Sequence, residues 1–396
     1  MAGQLNDDLG LSLAKAYLQG WLPPVADNEV DILRAVASKV FGGDIVFSNK
    51  PDSDVFNWKT SNTRRFRAQL GKAISGSGIC EILCAGESTT AGQGGASPES
   101  TENAYPAYMR DYLKKLVPNG GPGVVMLNHG NSLITNPAAV FAGTWTKAGT
   151  LLYAQCTANG ATVTVTATLA GSGGVMEIYY SNAGAGSFTY AVDGGAAVPV
   201  SGTGNQNLAA KISVTGLSAG AHTVVITKTN TTANYIYSVE FKEASGVVVN
   251  NVGASGSRVS QWASTAAFYD NGGYASARTN HLVILQLSIN DLAAAYSTDN
   301  YKAGLKSAIN RFLPTTDVVI ATSNPSTGAW TDAQVADYNK AMYELAIELD
   351  IPLFDMNAKF PTYAEANTLG LMNGTIHPRK EYYSLRGIHH AQAVLR

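Results

Sequence analysis

Charge is scarce in this chain. Only 14% of its 396 residues are Asp, Glu, Lys or Arg, and Lys+Arg of 27 against Asp+Glu of 29 leave a formal net charge of -2. Binding a phosphate backbone needs a basic field, so the balance argues against nucleic acid as the main partner. Cysteine is scarcer still: Cys80, Cys84 and Cys156 are too few for a disulfide framework, and none lies in a CxxC or Cys/His spacing that would hold zinc. Free, buried thiols are expected. No apolar run approaches the ~20 residues that span a bilayer. Asp7 and Asp8 stand where a secretory signal carries Lys or Arg, so no cleavable signal is expected. A nucleotide-binding loop is missing too, because Gly92-Gln93-Gly94-Gly95 lacks both its lysine and its spacing. Neither a metal nor an organic cofactor is expected.

Apolar residues and glycine are plentiful: 45% of the chain is hydrophobic and 40 residues are glycine. That is material for two or three domains with buried cores. Residues 1–65 read as a leader with one helix, from an N-cap at Asp27 through Phe41, whose task the sequence does not disclose. A helix near Thr63 to Ile74 carries Arg64, Arg65, Arg67 and Lys72 on a solvated face. From residue 79 apolar runs (Ile79–Ala85, Val124–Leu127, Val247–Val249, Leu282–Leu287, Val318–Ala321, Ile351–Met356) alternate with helical patterns. One helix begins near Asn103. Another opens at Thr331 with Gln334 three residues on, a capping box, and carries a stripe of Val335, Tyr338, Met342, Leu345 and Leu349. A last helix follows Pro378. Strands alternating with helices imply a parallel sheet covered on both faces.

Between about 144 and 245 the period changes to two, as in Thr162-Val163-Thr164-Val165-Thr166, and turn signals such as Asp193-Gly194-Gly195 punctuate it. An all-β module, a sandwich, is expected there. The βα texture on both sides makes it an insertion, dividing an α/β domain into residues 66–143 and 246–396. Tyr179, Tyr180, Tyr190, Tyr235 and Tyr237 in the insert admit two readings: rings that stack on sugars, or the inward faces of two sheets, the second preferred for Tyr235 and Tyr237.

The first apolar run ends in Gly86-Glu87-Ser88-Thr89-Thr90-Ala91-Gly92. Ligand sites in open α/β sheets lie beyond the carboxyl ends of the strands, so Ser88 stands where a nucleophile belongs. A Ser-Thr-Thr turn capping a helix would look the same.

These residues resemble the GDSxTxG first block of the SGNH (GDSL-type) hydrolases, with Glu87 in place of the usual Asp. The second block resembles Asn251-Val252-Gly253-Ala254-Ser255-Gly256, and the third, Gly-x-Asn-Asp, resembles Ser288-Ile289-Asn290-Asp291 with Ser288 replacing glycine. The fifth, Asp-x-x-His-Pro, is matched in part by Asn373-Gly374-Thr375-Ile376-His377-Pro378. The blocks occur in the family's order over residues 86 to 378. The resemblance implies a three-layer α/β/α fold with Ser88 as nucleophile, His377 as base, and oxyanion donors at Ser88, Gly256 and Asn290. If the Val124–Leu127 run were the second strand of the sheet, Gly130 would compete with Gly256.

Imidazole is poised to take a serine proton and return it. His222 falls in the insert, His281 opens a strand, and His389 and His390 sit on the last helix, where a solvated or packed role suffices; His129 is the competitor to His377. Gly374 stands where the family places the acid that orients the histidine. A Ser88/His377 dyad oriented by a main-chain carbonyl is expected, with Asn373 or Asp355 as lesser candidates.

Family members with such β-modules resemble polysaccharide O-deacetylases, including those of bacteriophage tails. The resemblance implies a serine esterase acting on an acetylated glycan, in a virion working outside the cell or otherwise in the cytoplasm. A lipase or thioesterase on the same fold and a catalytically silent glycan-binding adhesin are the alternatives.

Overall fold

The computed structural model describes residues 54–128, 134–147, 149–181, 186–202, 209–264, 270–360 and 362–396. The expected Asp27–Phe41 helix, His129 and Gly130 lie outside them. The central sheet has six strands in the order Val55–Phe56, Leu353–Phe354, Asp317–Ala321, Leu282–Gln286, Ile79–Gly86 and Gly246–Gly253. All neighbours run parallel except the first pair, where the end of the leader adds an antiparallel edge. Two-sided burial explains why the inner strands read as unbroken apolar runs. On one face Phe66, Tyr105, Met109 and Tyr383 come from the helices Arg64–Ile74, Tyr105–Leu113 and Lys380–Val394. On the other, Trp262, Tyr301, Leu305, Tyr338 and Met342 come from Val259–Ala263, Thr298–Phe312 and Asp332–Glu348. The Thr331 capping box forms: its side chain accepts from Gln334 N, and Gln334 accepts from Thr331 N. The fold is the expected α/β/α sandwich with an added antiparallel part.

That added part is two sheets. One orders Ala209–Leu217, Gly174–Ser181, Asn234–Lys242, Ala154–Cys156 and Thr146–Lys147; the other orders Val198–Ser201, Ser187–Val192, Gly220–Lys228, Thr162–Leu169 and Ala139–Ala142. Val163, Val165, Ile178, Phe188, Val224 and Ile226 fill the space between them.

The expected boundary at 144 needs correction, because the antiparallel sheets reach back to residue 123. Gly123–Met126 pairs with Asn234–Lys242, and Ala139–Ala142 with Thr162–Leu169. The Val124–Leu127 run misleads for a physical reason. Val125 and Leu127 enter the core between the two antiparallel sheets, while Val124 and Met126 pack against the core of the α/β domain. A strand buried on both faces shows no alternation.

The tyrosines follow the same geometry. Tyr179 and Tyr237 are buried against Tyr274 of the α/β domain, with ring centroids 5.8 and 4.7 Å away, and Tyr180 packs edge-on to Phe188 at 5.2 Å between the sheets. Tyr179 and Tyr237 therefore carry packing, and the sugar-stacking reading fails for both. Below them a buried ionic cluster joins the two parts. Lys242 lies 3.0 Å from Glu81 of the parallel sheet and 2.8 Å from Glu177, while Arg278 lies 2.6 Å from Glu240. All three cysteines are free and buried. No helix among the described residues is long and apolar enough to cross a membrane.

Candidate active site

Ser88 opens a four-residue helix, Ser88–Ala91, at the carboxyl end of the Ile79–Gly86 strand. The turn is tight because the neighbouring strand ends in Gly253, where a Cβ would come within 2.2 Å of Ala91 N. His377 arrives from the far end of the chain, on a short hairpin pairing Met372–Asn373 with His377–Pro378. The two side chains meet, with Ser88 Oγ 3.0 Å from His377 Nε2. Ser88 is buried, and burial pushes the His377 imidazole down to about 4, so the ring is neutral near pH 7 and able to accept a proton.

The oxyanion candidates fall on the same side. Gly256 follows the Gly246–Gly253 strand, which runs parallel to the serine strand, and its φ of +79° suits glycine. Its N–H and that of Ser88 have no protein acceptor among the described residues. A Cβ at Gly256 would lie 3.1 Å from Thr150, so the antiparallel part borders this turn. Asn290 is held more firmly than its block suggests: Nδ2 donates to Glu87 Oε2 and to Ser257 O, both at 3.0 Å.

Two of the departures from the family pattern, Glu87 and Ser288, belong to one buried network. Glu87 accepts from the Ile289 and Asn290 main-chain N–H groups at 3.2 Å and from Ser323 Oγ at 3.1 Å; Ser288 Oγ donates to Ser323 Oγ at 2.7 Å. Burial pushes the Glu87 carboxyl up to about 7 while these hydrogen bonds pull it down. Sequence reasoning missed Ser323 and Asn324, although a polar pair just beyond the apolar run Val318–Ala321 is the kind of signal that marks a strand end at a site.

Neither candidate side chain for orienting the His377 ring, Asp355 or Asn373, is bonded to it. Asp355 accepts from Thr322 Oγ1, Tyr343 OH and the N–H groups of Asn357 and Ala358, and Asn373 Nδ2 donates to Gly94 O at 3.0 Å. Among the described residues the His377 ring has one hydrogen bond, to Ser88, so the main-chain carbonyl expected to orient it is not found there. The other described histidines are engaged elsewhere. His222 pairs with Asp193, His281 Nδ1 accepts from Glu81 N, and His389 and His390 are buried against each other. No group of three or more His, Cys, Asp or Glu side chains among the described residues is placed to hold a metal ion.

Residues 219–385 match the sequence model of the GDSL-like Lipase/Acylhydrolase family. That stretch is similar to a GDSL-type hydrolase domain. The protein is a carboxylic ester hydrolase, and the match takes in Gly256, Asn290 and His377; Ser88 lies outside it, beyond the antiparallel sheets. No curated protein matches the sequence. Among solved structures, a peptidoglycan O-acetylesterase shares the hydrolase fold at a TM-score of 0.66, with 17% identity over 86% of this chain and 98% of its own. A family two carbohydrate esterase from Clostridium thermocellum matches at a TM-score of 0.29, with 14% identity over 65% and 97%.

Proposed function

We propose that the hydrolase removes O-acetyl groups from a carbohydrate through a Ser88/His377 acyl-enzyme mechanism. The observation that carries it is the 3.0 Å contact between Ser88 Oγ and His377 Nε2 at the carboxyl ends of parallel strands. Ser88 attacks the acetyl carbonyl as its proton passes to Nε2, and the protonated ring then hands that proton to the departing sugar oxygen. Water attacks the acyl-enzyme by the reverse route and releases acetate. The oxyanion takes the N–H groups of Ser88 and Gly256. Asn290 joins by exchanging its Ser257 partner for the substrate oxygen while Glu87 keeps its other N–H. A donor of this kind is worth roughly 2.7–4 kcal/mol in the transition state. The fold shared with a peptidoglycan O-acetylesterase supports an acetylated glycan as substrate class.

Hydrolysis of p-nitrophenyl acetate by the unmodified protein beside Ser88→Ala, at matched circular dichroism, tests the mechanism. The expected result is loss of activity by about three orders of magnitude or more, followed by acetate release from acetylated polysaccharide by the unmodified protein. Equal activity in both proteins would remove Ser88 from the reaction. A chain-length optimum beyond butyrate would point to a lipase, and glycan binding without turnover to an adhesin.

A further inference from the structure

We propose that Ser323 and Asn324 are positioning residues that set the spacing of nucleophile and base, a role resting on the Ser88/His377 reading above. Among the described residues no acid holds the imidazole, so the chain that carries it bears directly on its placement. That chain is tied down one residue earlier: Asn324 Nδ2 donates to Ile376 O at 2.8 Å, across 52 positions of sequence. Thr327 N adds a second tie, to Thr375 O at 2.9 Å. The residue before Asn324 holds the other partner's neighbour, since Ser323 Oγ donates to Glu87 Oε1 at 3.1 Å.

Six residues therefore close a ring. Ser88 is bonded through the chain to Glu87, Glu87 by hydrogen bond to Ser323, Ser323 through the chain to Asn324, Asn324 by hydrogen bond to Ile376, and Ile376 through the chain to His377. The 3.0 Å contact back to Ser88 completes it. Ser323 and Asn324 are 5% and 3% exposed, so water does not compete for these bonds. Both follow directly on the central strand Asp317–Ala321, a rigid base for a spacer. Asn324 Nδ2 also donates to Pro325 O at 3.0 Å, which fixes its amide plane.

The test compares the unmodified protein with Asn324→Ala, Asn324→Asp and Ser323→Ala on p-nitrophenyl acetate, together with the ring titration of His377 by NMR. Asn324→Asp keeps the volume but turns the donor facing Ile376 O into an acceptor, and it serves if the alanine variant does not fold. A displacement of about 1 Å costs on the order of 100-fold. The expected outcome for the Asn324 variants is a fall in kcat of about 10- to 100-fold with KM changed less than about twofold, and a His377 midpoint that climbs from about 4 toward 6.5 as the loosened ring meets water. An unchanged kcat, or a reduced kcat with an unmoved midpoint, would overturn the brace. The midpoint needs no turnover, so it judges the brace even if Ser88→Ala shows that the reaction proceeds without the serine.

Discussion

His377 shows how much of the chemistry depends on a single side chain's surroundings. Among the described residues its ring has no carboxylate partner to raise its affinity for protons, and burial lowers its pKa to about 4. In the proposed mechanism the base acts when neutral, so kcat/KM for an uncharged ester should fall only as pH drops through about 4, well below an ordinary histidine near 6.5. A pH–rate profile of p-nitrophenyl acetate hydrolysis checks this. An acid limb between pH 6 and 7 would mean a solvated or carboxylate-paired ring. The serine and the histidine were legible in the sequence, because each stands in a short motif where a strand or loop ends. What orients them was not. Glu87, where the pattern has aspartate, reaches the first N–H groups of the Ile289–Ala293 helix, while Ser288, where the pattern has glycine, bonds to Ser323. Glu87 lies about 200 residues from those N–H groups, and Ser288 lies 35 from Ser323, so neither pairing leaves a periodic trace.

Among the elements, the most informative contact joins the Ile79–Gly86 strand to the antiparallel sheet. Lys242 faces Glu81, Glu177 and Glu240 with its side chain 10% exposed, whereas Lys211, which also meets Glu177, has a side chain 41% exposed. Removing a buried partner leaves uncompensated charge and typically costs about 3–5 kcal/mol, while an exposed ion pair is worth roughly 0–1 kcal/mol. Lys242→Ala should therefore lower the unfolding free energy by several times as much as Lys211→Ala, read as the shift in urea midpoint at constant slope. Equal shifts would show that the cluster is hydrated. This junction also explains which elements the sequence revealed. The capping box at Thr331 and the parallel strands follow local rules and were readable; the sheet that holds Gly123–Met126 stays open in the sequence because the strand lies between two cores. The tyrosines at 179 and 237 had a partner, Tyr274, that only the packing of the two parts brings near.

For the molecule as a whole, buried titratable groups act in opposite directions over one pH range. Burial lowers His281, His377 and His389 from an ordinary 6.5 to about 4, and it pushes His390 well below 6.5 too. Between those values the unfolded chain binds more protons than the folded one, so these groups take stability away as pH falls from 6.5 toward 4. Burial also raises Glu81, Glu87 and Asp291 to about 7. Their contribution is present below the ordinary carboxyl range near 4 and is lost as pH rises through 7, the reverse slope over nearly the same interval. The two sets oppose each other across this interval, so unfolding free energy should change less from pH 4.5 to 6.5 than either set alone would make it. Below about 4 it should drop, as Asp54 and Glu177, whose folded pKa values are depressed, take up protons. Glu87→Gln removes one carboxyl from the balance, so its stability should fall more steeply than that of the unmodified protein as pH is lowered from 6.5 to 4.5. Urea titrations of both proteins across that range measure the two slopes directly, and parallel curves would mean that the Glu87 carboxyl is ionised throughout.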